Sequence, residues 1–280
     1  MSITRKVANL AGAAALAIAI SGCSKAPVEE EAAAEQGVFV PPIDIDVDNF
    51  IEGNLYFTAY HELGHAFVSE YDLPIAGREE DAVDRLAVWL MTPVDDSPPD
   101  YLFGAIRGWF MTGAEIPLDE IAWWDEHGSD GQRGYQIACL LYGTDTQKYK
   151  DVAAVVELPE ERAEKCEWEA GDNARVWDRF LSDYVRPDND AAPKEDVTIT
   201  YGETKDYADD KAYLAELGLM DEIARMMTEG YRFEPGIKLE ARECGEANAY
   251  WSSDDRTLTF CYEEVATYRA LADKLKPPAS

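Results

Sequence analysis

Apolar positions recur every three to four residues through most of the first 184 residues, and every second residue mainly after residue 196. The first pattern predicts helices. One begins near Asp48 or Asn49, where Asn49 and Glu52 have capping-box form, and runs to about Tyr71, before Pro74. A second covers about Arg78 to Met91, with Val83, Leu86, Ala87 and Leu90 as its apolar stripe and Pro93 beyond its end. A third opens at Ser97-Pro98-Pro99-Asp100 and carries Tyr101, Leu102, Ile106 and Phe110. A fourth covers roughly Gly131 to Tyr142, with Gly143 as its C-terminal stop. Pro159 to Ala170 and Arg175 to Tyr184 read as two further helices.

The character then changes. Pro187 and Pro193 among Asp and Asn mark residues 185–195 as a linker. Strands are expected at Val197–Tyr201, Ile237–Ala241, Ala249–Trp251 and Arg256–Tyr262, with Ser252-Ser253-Asp254-Asp255 turning between the last two. Helices are expected over Asp209–Thr228, interrupted at Gly218, and over about Glu263–Leu275. The fold class is therefore α+β. A predominantly helical part, residues 45–184, is followed by residues 196–280, which contribute most of a small β-sheet and pack with it as one unit.

At 280 residues and 46% hydrophobic, the chain has enough apolar material for a sizeable core. Its net charge of −31 argues against nucleic acid or an anionic membrane surface as a partner. Solubility is the ordinary consequence of such a charge, and a preference for basic substrates is the sharper one.

The N-terminus reads as a targeting segment. Arg5 and Lys6 precede a mostly apolar run from Val7 to Ile20, which is short for a membrane span. Ile20-Ser21-Gly22-Cys23 follows directly and resembles the lipobox of bacterial lipoproteins. That resemblance implies a signal peptide at 1–22, lipidation of Cys23 and a lipid-anchored protein. Ser24 stands where an aspartate would favour the inner membrane, so the implied location is the outer membrane, facing the periplasm. Residues 23–44, with three consecutive glutamates and Pro41-Pro42 near the end, read as a flexible tether. Setting Cys23 aside leaves Cys139, Cys166, Cys244 and Cys261, which suggest two disulfides in an oxidising compartment. Three pairings are possible, and the sequence-local one, Cys139–Cys166 with Cys244–Cys261, is the expectation.

Two of the three histidines lie in His61-Glu62-Leu63-Gly64-His65. Four residues apart on a helix, His61 and His65 project from one face and can reach a single Zn²⁺. Glu62 is placed to serve as general base toward the attacking water. A catalytic zinc needs a third protein ligand and an open position. Glu80 on the second helix is the candidate ligand, and Asp84, one turn on, is a candidate hydrogen-bond partner for a ligating histidine. Glu79 and Asp81 read as exposed first-turn acids, where negative charge is favourable anyway.

HELGH with E-x-x-x-D resembles the gluzincin metallopeptidases. More narrowly, the chain resembles a bacterial metallopeptidase family of unknown function. The matching segments include Asn54–Tyr60 leading into HELGH, Leu73–Asp81, Asp125-Glu126-His127, Gln132-Arg133, Cys139–Gly143, Leu158–Arg162, Cys244–Ala249 and Cys261-Tyr262-Glu263. The resemblance implies one Zn²⁺, a peptide or protein substrate, and a residue outside the ligand set that stabilises the oxyanion. His127 is the candidate for that role, with Tyr250 or Tyr262 as substitutes. Zincins usually place a strand edge before the HExxH helix. Here the strands follow it, so the C-terminal part is expected to supply the edge. A non-catalytic zinc-binding scaffold or protein-binding module is the rival reading.

Overall fold

The computed structural model describes residues 39–93, 99–187 and 197–275. The targeting segment, Cys23 and most of the tether fall outside these, as do Ser97, Pro98 and much of the linker. Helix α1 (Val47–Glu70) runs through the centre of the fold. Asp46 caps it, its Oδ1 accepting the Asn49 N–H at 2.9 Å, so Asn49 lies inside the helix and is not its cap. Phe50, Leu55, Phe57, Leu63 and Phe67 are all buried, on several faces, as an enclosed helix requires.

Helices α2 (Glu79–Met91) and α3 (Asp100–Gly113) pack on α1. At Gly53 a Cβ would stand 2.2 Å from the Tyr101 carbonyl oxygen, so the glycine is what lets α3 approach. Helix α4 (Asp130–Thr144) starts in a capping box made by Ser129 and Gln132, and α5 (Lys150–Val155) is a short helix that periodicity did not reveal. Two sequence expectations are corrected beyond this point. Gly143 does not stop α4 but lies within it, where a Cβ would stand 2.0 Å from the Cys166 carbonyl oxygen. Its smallness brings α4 against α6 (Glu160–Leu181), next to the Cys139–Cys166 disulfide. Helix α6 is also one helix and not two. Asn173, in the stretch that looked like a break, is buried and donates from Nδ2 to the Arg85 carbonyl at 2.8 Å.

The second part holds β1 (Val197–Tyr201), α7 (Ala208–Leu217), α8 (Leu219–Arg225), β2 (Ile237–Arg242), β3 (Ala249–Ser252), β4 (Thr257–Cys261) and α9 (Tyr262–Asp273). Gly218, at φ +73°, makes the expected break between α7 and α8. Sheet order is β1-β2-β4-β3, with β1–β2 and β2–β4 parallel and β3 antiparallel to β4. β4 is buried throughout, and β3 is the edge strand nearest α1. Helices and sheet share one hydrophobic core. Arg256, just before β4, hydrogen-bonds both carboxylate oxygens of Glu70 at the end of α1, and Trp251 Nε1 donates to Ser69 Oγ at 2.7 Å. The second disulfide is Cys244–Cys261, so the sequence-local pairing is the one found. Among the described residues, no helix is long and apolar enough to cross a membrane.

Candidate metal centre

α1 turns His61, Glu62 and His65 toward the start of α2. Gly64 makes this approach possible, since a Cβ there would stand 2.7 Å from Val83 Cβ. The crossing brings Glu80 Oε2 to 3.0 Å from His61 Nε2 and 3.3 Å from His65 Nε2, and the two imidazole nitrogens lie 3.3 Å apart. Metal–ligand bonds of about 2.0–2.2 Å around a tetrahedral ion set the donor atoms about 3.3 Å apart. The three atoms therefore match one face of such a tetrahedron. Glu80 Oε2 is sealed from solvent without a hydrogen-bond partner, although nitrogens surround it. A cation at the centre of the group would resolve that gathering of lone pairs.

Carboxylates behind the imidazoles fix their orientation. His61 Nδ1 is 2.7 Å from Asp84 Oδ1, as the sequence suggested. His65 Nδ1 is 2.8 Å from Glu79 Oε1, so Glu79, an exposed first-turn acid as expected, also orients this ring. With Nδ1 protonated toward a carboxylate, each ring presents its Nε2 lone pair to the centre. Asp84 is held in turn by Arg133 of α4, whose Nε and Nη2 donate at 2.7 and 2.6 Å. The Arg133 guanidinium lies 3.6 Å over the Trp109 ring. The sequence offered Gln132-Arg133 only as part of a pattern, because nothing local distinguishes an arginine that reaches a buried carboxylate from one on the surface.

The electrostatics follow from this crowding. Burial would raise the Glu80 carboxyl, but the three imidazoles around it hold it far below the carboxylate range. Burial would likewise raise Asp84, and Arg133 and His61 lower it to about 2. Burial works to lower His65, yet the carboxylates of Glu80, Glu79 and Glu62 raise it to about 9. Glu62 is pushed up by burial, against the pull of His61 and His65. Its Oε2 accepts the Trp251 backbone N–H at 2.9 Å. Edge strand β3 of the C-terminal part thus lies beside the histidine helix, as the order of the elements suggests.

His127 arrives from the loop between α3 and α4. Its Nε2 is 2.9 Å from Glu80 Oε2, its Nδ1 is 3.2 Å from Asp125, and its side chain is 41% exposed. Donor atoms of His61, Glu80 and His127 all fall within 4.8 Å of one another. Tyr250 lines the same cavity, of about 810 Å³, whereas Tyr262 is fully buried with its hydroxyl donating to the Gly202 carbonyl at 2.9 Å. That burial removes Tyr262 as an oxyanion candidate. Tyr268 and Glu264 of α9 also line the cavity and had no sequence signal, since they reach it only through the tertiary fold.

Comparison with curated proteins and with solved structures returned no match. A family model described as "Putative metallopeptidase" matches residues 24–181 and 200–277, a span that contains all the residues gathered here. The family implies a metal, and the donor set around Glu80 fits one. The chain belongs to this metallopeptidase family.

Proposed function

We propose that the protein is a zinc-dependent metallopeptidase that hydrolyses peptide bonds in the cavity between α1, α2 and β3. The observation that carries this reading is the triangle of His61 Nε2, His65 Nε2 and Glu80 Oε2, with edges of 3.0, 3.3 and 3.3 Å. These three residues would hold one Zn²⁺, with Asp84 and Glu79 orienting the histidines. Bound there, zinc supplies Lewis acidity and lets water act as a nucleophile near neutral pH. Glu62 takes a proton from the attacking water and delivers it to the departing amine, for which a carboxyl raised by burial is suited. His127, whose Nε2 lies 2.9 Å from Glu80 Oε2, steadies the oxyanion. The outward edge of β3 aligns an extended substrate. We also propose, from the sequence alone, that the chain is lipidated at Cys23 and works at the outer membrane facing the periplasm.

The test is zinc stoichiometry and peptide hydrolysis by residues 24–280 and by Glu62→Gln. The proposal expects equal zinc in both and a loss of turnover of about a hundredfold or more in the variant. Zinc bound without hydrolysis of a broad peptide library would count against it. The contact between His127 and Glu80 favours one alternative, a closed structural site with His127 as fourth ligand. His127→Ala separates the two, since the closed site predicts weaker zinc binding and the catalytic site predicts slower turnover at full zinc occupancy.

A further inference from the structure

The described residues expose seven large apolar side chains, and four of them, Ile116, Leu118, Trp123 and Trp124, stand on the loop between α3 and α4. Scattered single cases are ordinary, but four within one short loop are a concentration that needs a cause. Trp123 is 72% exposed and Trp124 87%. Turns hold the loop backbone. The Pro117 carbonyl accepts the Glu120 N–H and the Ala122 carbonyl accepts the Asp125 N–H, each at 2.9 Å. Backbone groups paired within the loop need no water when the side chains leave it.

What covers these side chains follows from where the chain enters the fold. The Phe39 ring meets the Phe110 ring edge-on at 6.3 Å, in the last turn of α3. The apolar loop begins directly after that turn. Cys23 lies sixteen residues before Phe39, and a chain of that length reaches about 55 Å at full extension. A lipid on Cys23 therefore keeps this end of α3 near the bilayer, and contact of the loop with it becomes an intramolecular step that weak affinity can drive. Tryptophan suits that contact, since it favours the membrane–water interface. The loop also carries Glu115, Asp119, Glu120, Asp125 and Glu126, with no lysine or arginine between Arg107 and Arg133. Such a charge repels anionic headgroups and leaves a zwitterionic surface as the match.

We propose that this loop docks on the headgroup region of a zwitterionic phospholipid bilayer, with Trp123 and Trp124 as its anchors. The choice of occupant rests on the anchoring proposed at Cys23. Glu126 and His127, which follow the tryptophans, line the cavity. Docking of the loop thus brings the cavity to the bilayer surface.

Cys23 is the one cysteine outside the two disulfides, so residues 23–280 can be coupled through it to a maleimide lipid, whether or not a cell acylates it. The test anchors the protein in this way to phosphatidylcholine vesicles with brominated acyl chains, which quench tryptophan emission at short range. The anchored protein should be quenched. The double variant Trp123→Ser, Trp124→Ser should lose most of that quenching, whereas Trp168→Ser, at an exposed site on α6, should keep it. All these positions are exposed, so the variants should melt as the parent does. Phosphatidylglycerol in place of phosphatidylcholine should weaken the quenching at low salt. No quenching of the anchored parent, equal quenching in the double variant, or stronger quenching on phosphatidylglycerol overturns the proposal. Self-association that the double variant abolishes, without quenching, also overturns it and assigns the loop to a second copy of the chain. The mass of the N-terminal peptide from cells tests the anchor separately. An unacylated Cys23 together with quenching on vesicles would uphold the loop's affinity for the surface and overturn the anchoring reading.

Discussion

Each histidine of the centre has a carboxylate at Nδ1 and turns Nε2 toward Glu80. Asp84 is the most constrained of these supports, because it is buried and joins buried His61 to the largely covered Arg133. Asp84→Ala would leave the Arg133 charge without its partner, at a cost of about 3–5 kcal/mol. It should also weaken zinc binding by about 10–100-fold. Thermal melts and a zinc titration of the variant check both. His65 gives a pH prediction for the metal-free protein. Its folded pKa of about 9 lies above the ordinary 6.5, so protonated His65 stabilises the fold fully below pH 6.5, and that contribution is lost as pH rises through 9. Zinc needs the neutral imidazole, so the loaded protein should not show this loss. The melting temperature of stripped protein should therefore fall between those pH values, and an unchanged melting temperature across them would contradict the assignment.

Two helices and one strand make the site, and their contacts differ in how far the sequence discloses them. The i, i+4 spacing on α1 places His61 and His65 on one face without any tertiary knowledge, and the E-x-x-x-D spacing does the same for Glu80 and Asp84 on α2. The meeting of the two helices depends on Gly64 against Val83. Gly64→Ala should force α1 and α2 apart, destabilise the fold by about 1–3 kcal/mol and weaken zinc binding. Unfolding and metal titration of the variant measure this, and native zinc affinity in it would refute the role of the close approach. Other features were hidden for physical reasons. Glu79 looks like any first-turn acid until His65 is placed opposite it. Gly143 looks like a helix stop because its close neighbour, the Cys166 carbonyl, lies on another helix. The parallel pairing of β1 with β2 and the position of β3 beside α1 are non-local, so strand periodicity could place the strands but not their order.

At the scale of the molecule, the cavity lies where the helical part meets the sheet. α1 and α2 supply His61, Glu62, His65 and Glu80, while β3 and α9 supply the facing wall. Both parts line the cavity, and the family match spans both. The α+β class was legible from the change in periodicity after residue 196. The acid-rich wall was not, because Glu264 and Asp72 come from opposite ends of the chain. The most direct test of the central claim is to follow peptide hydrolysis while zinc is titrated back into stripped protein. Activity should rise linearly and level off at one zinc per chain. Hydrolysis in the stripped protein, or none at full zinc occupancy, would contradict the claim.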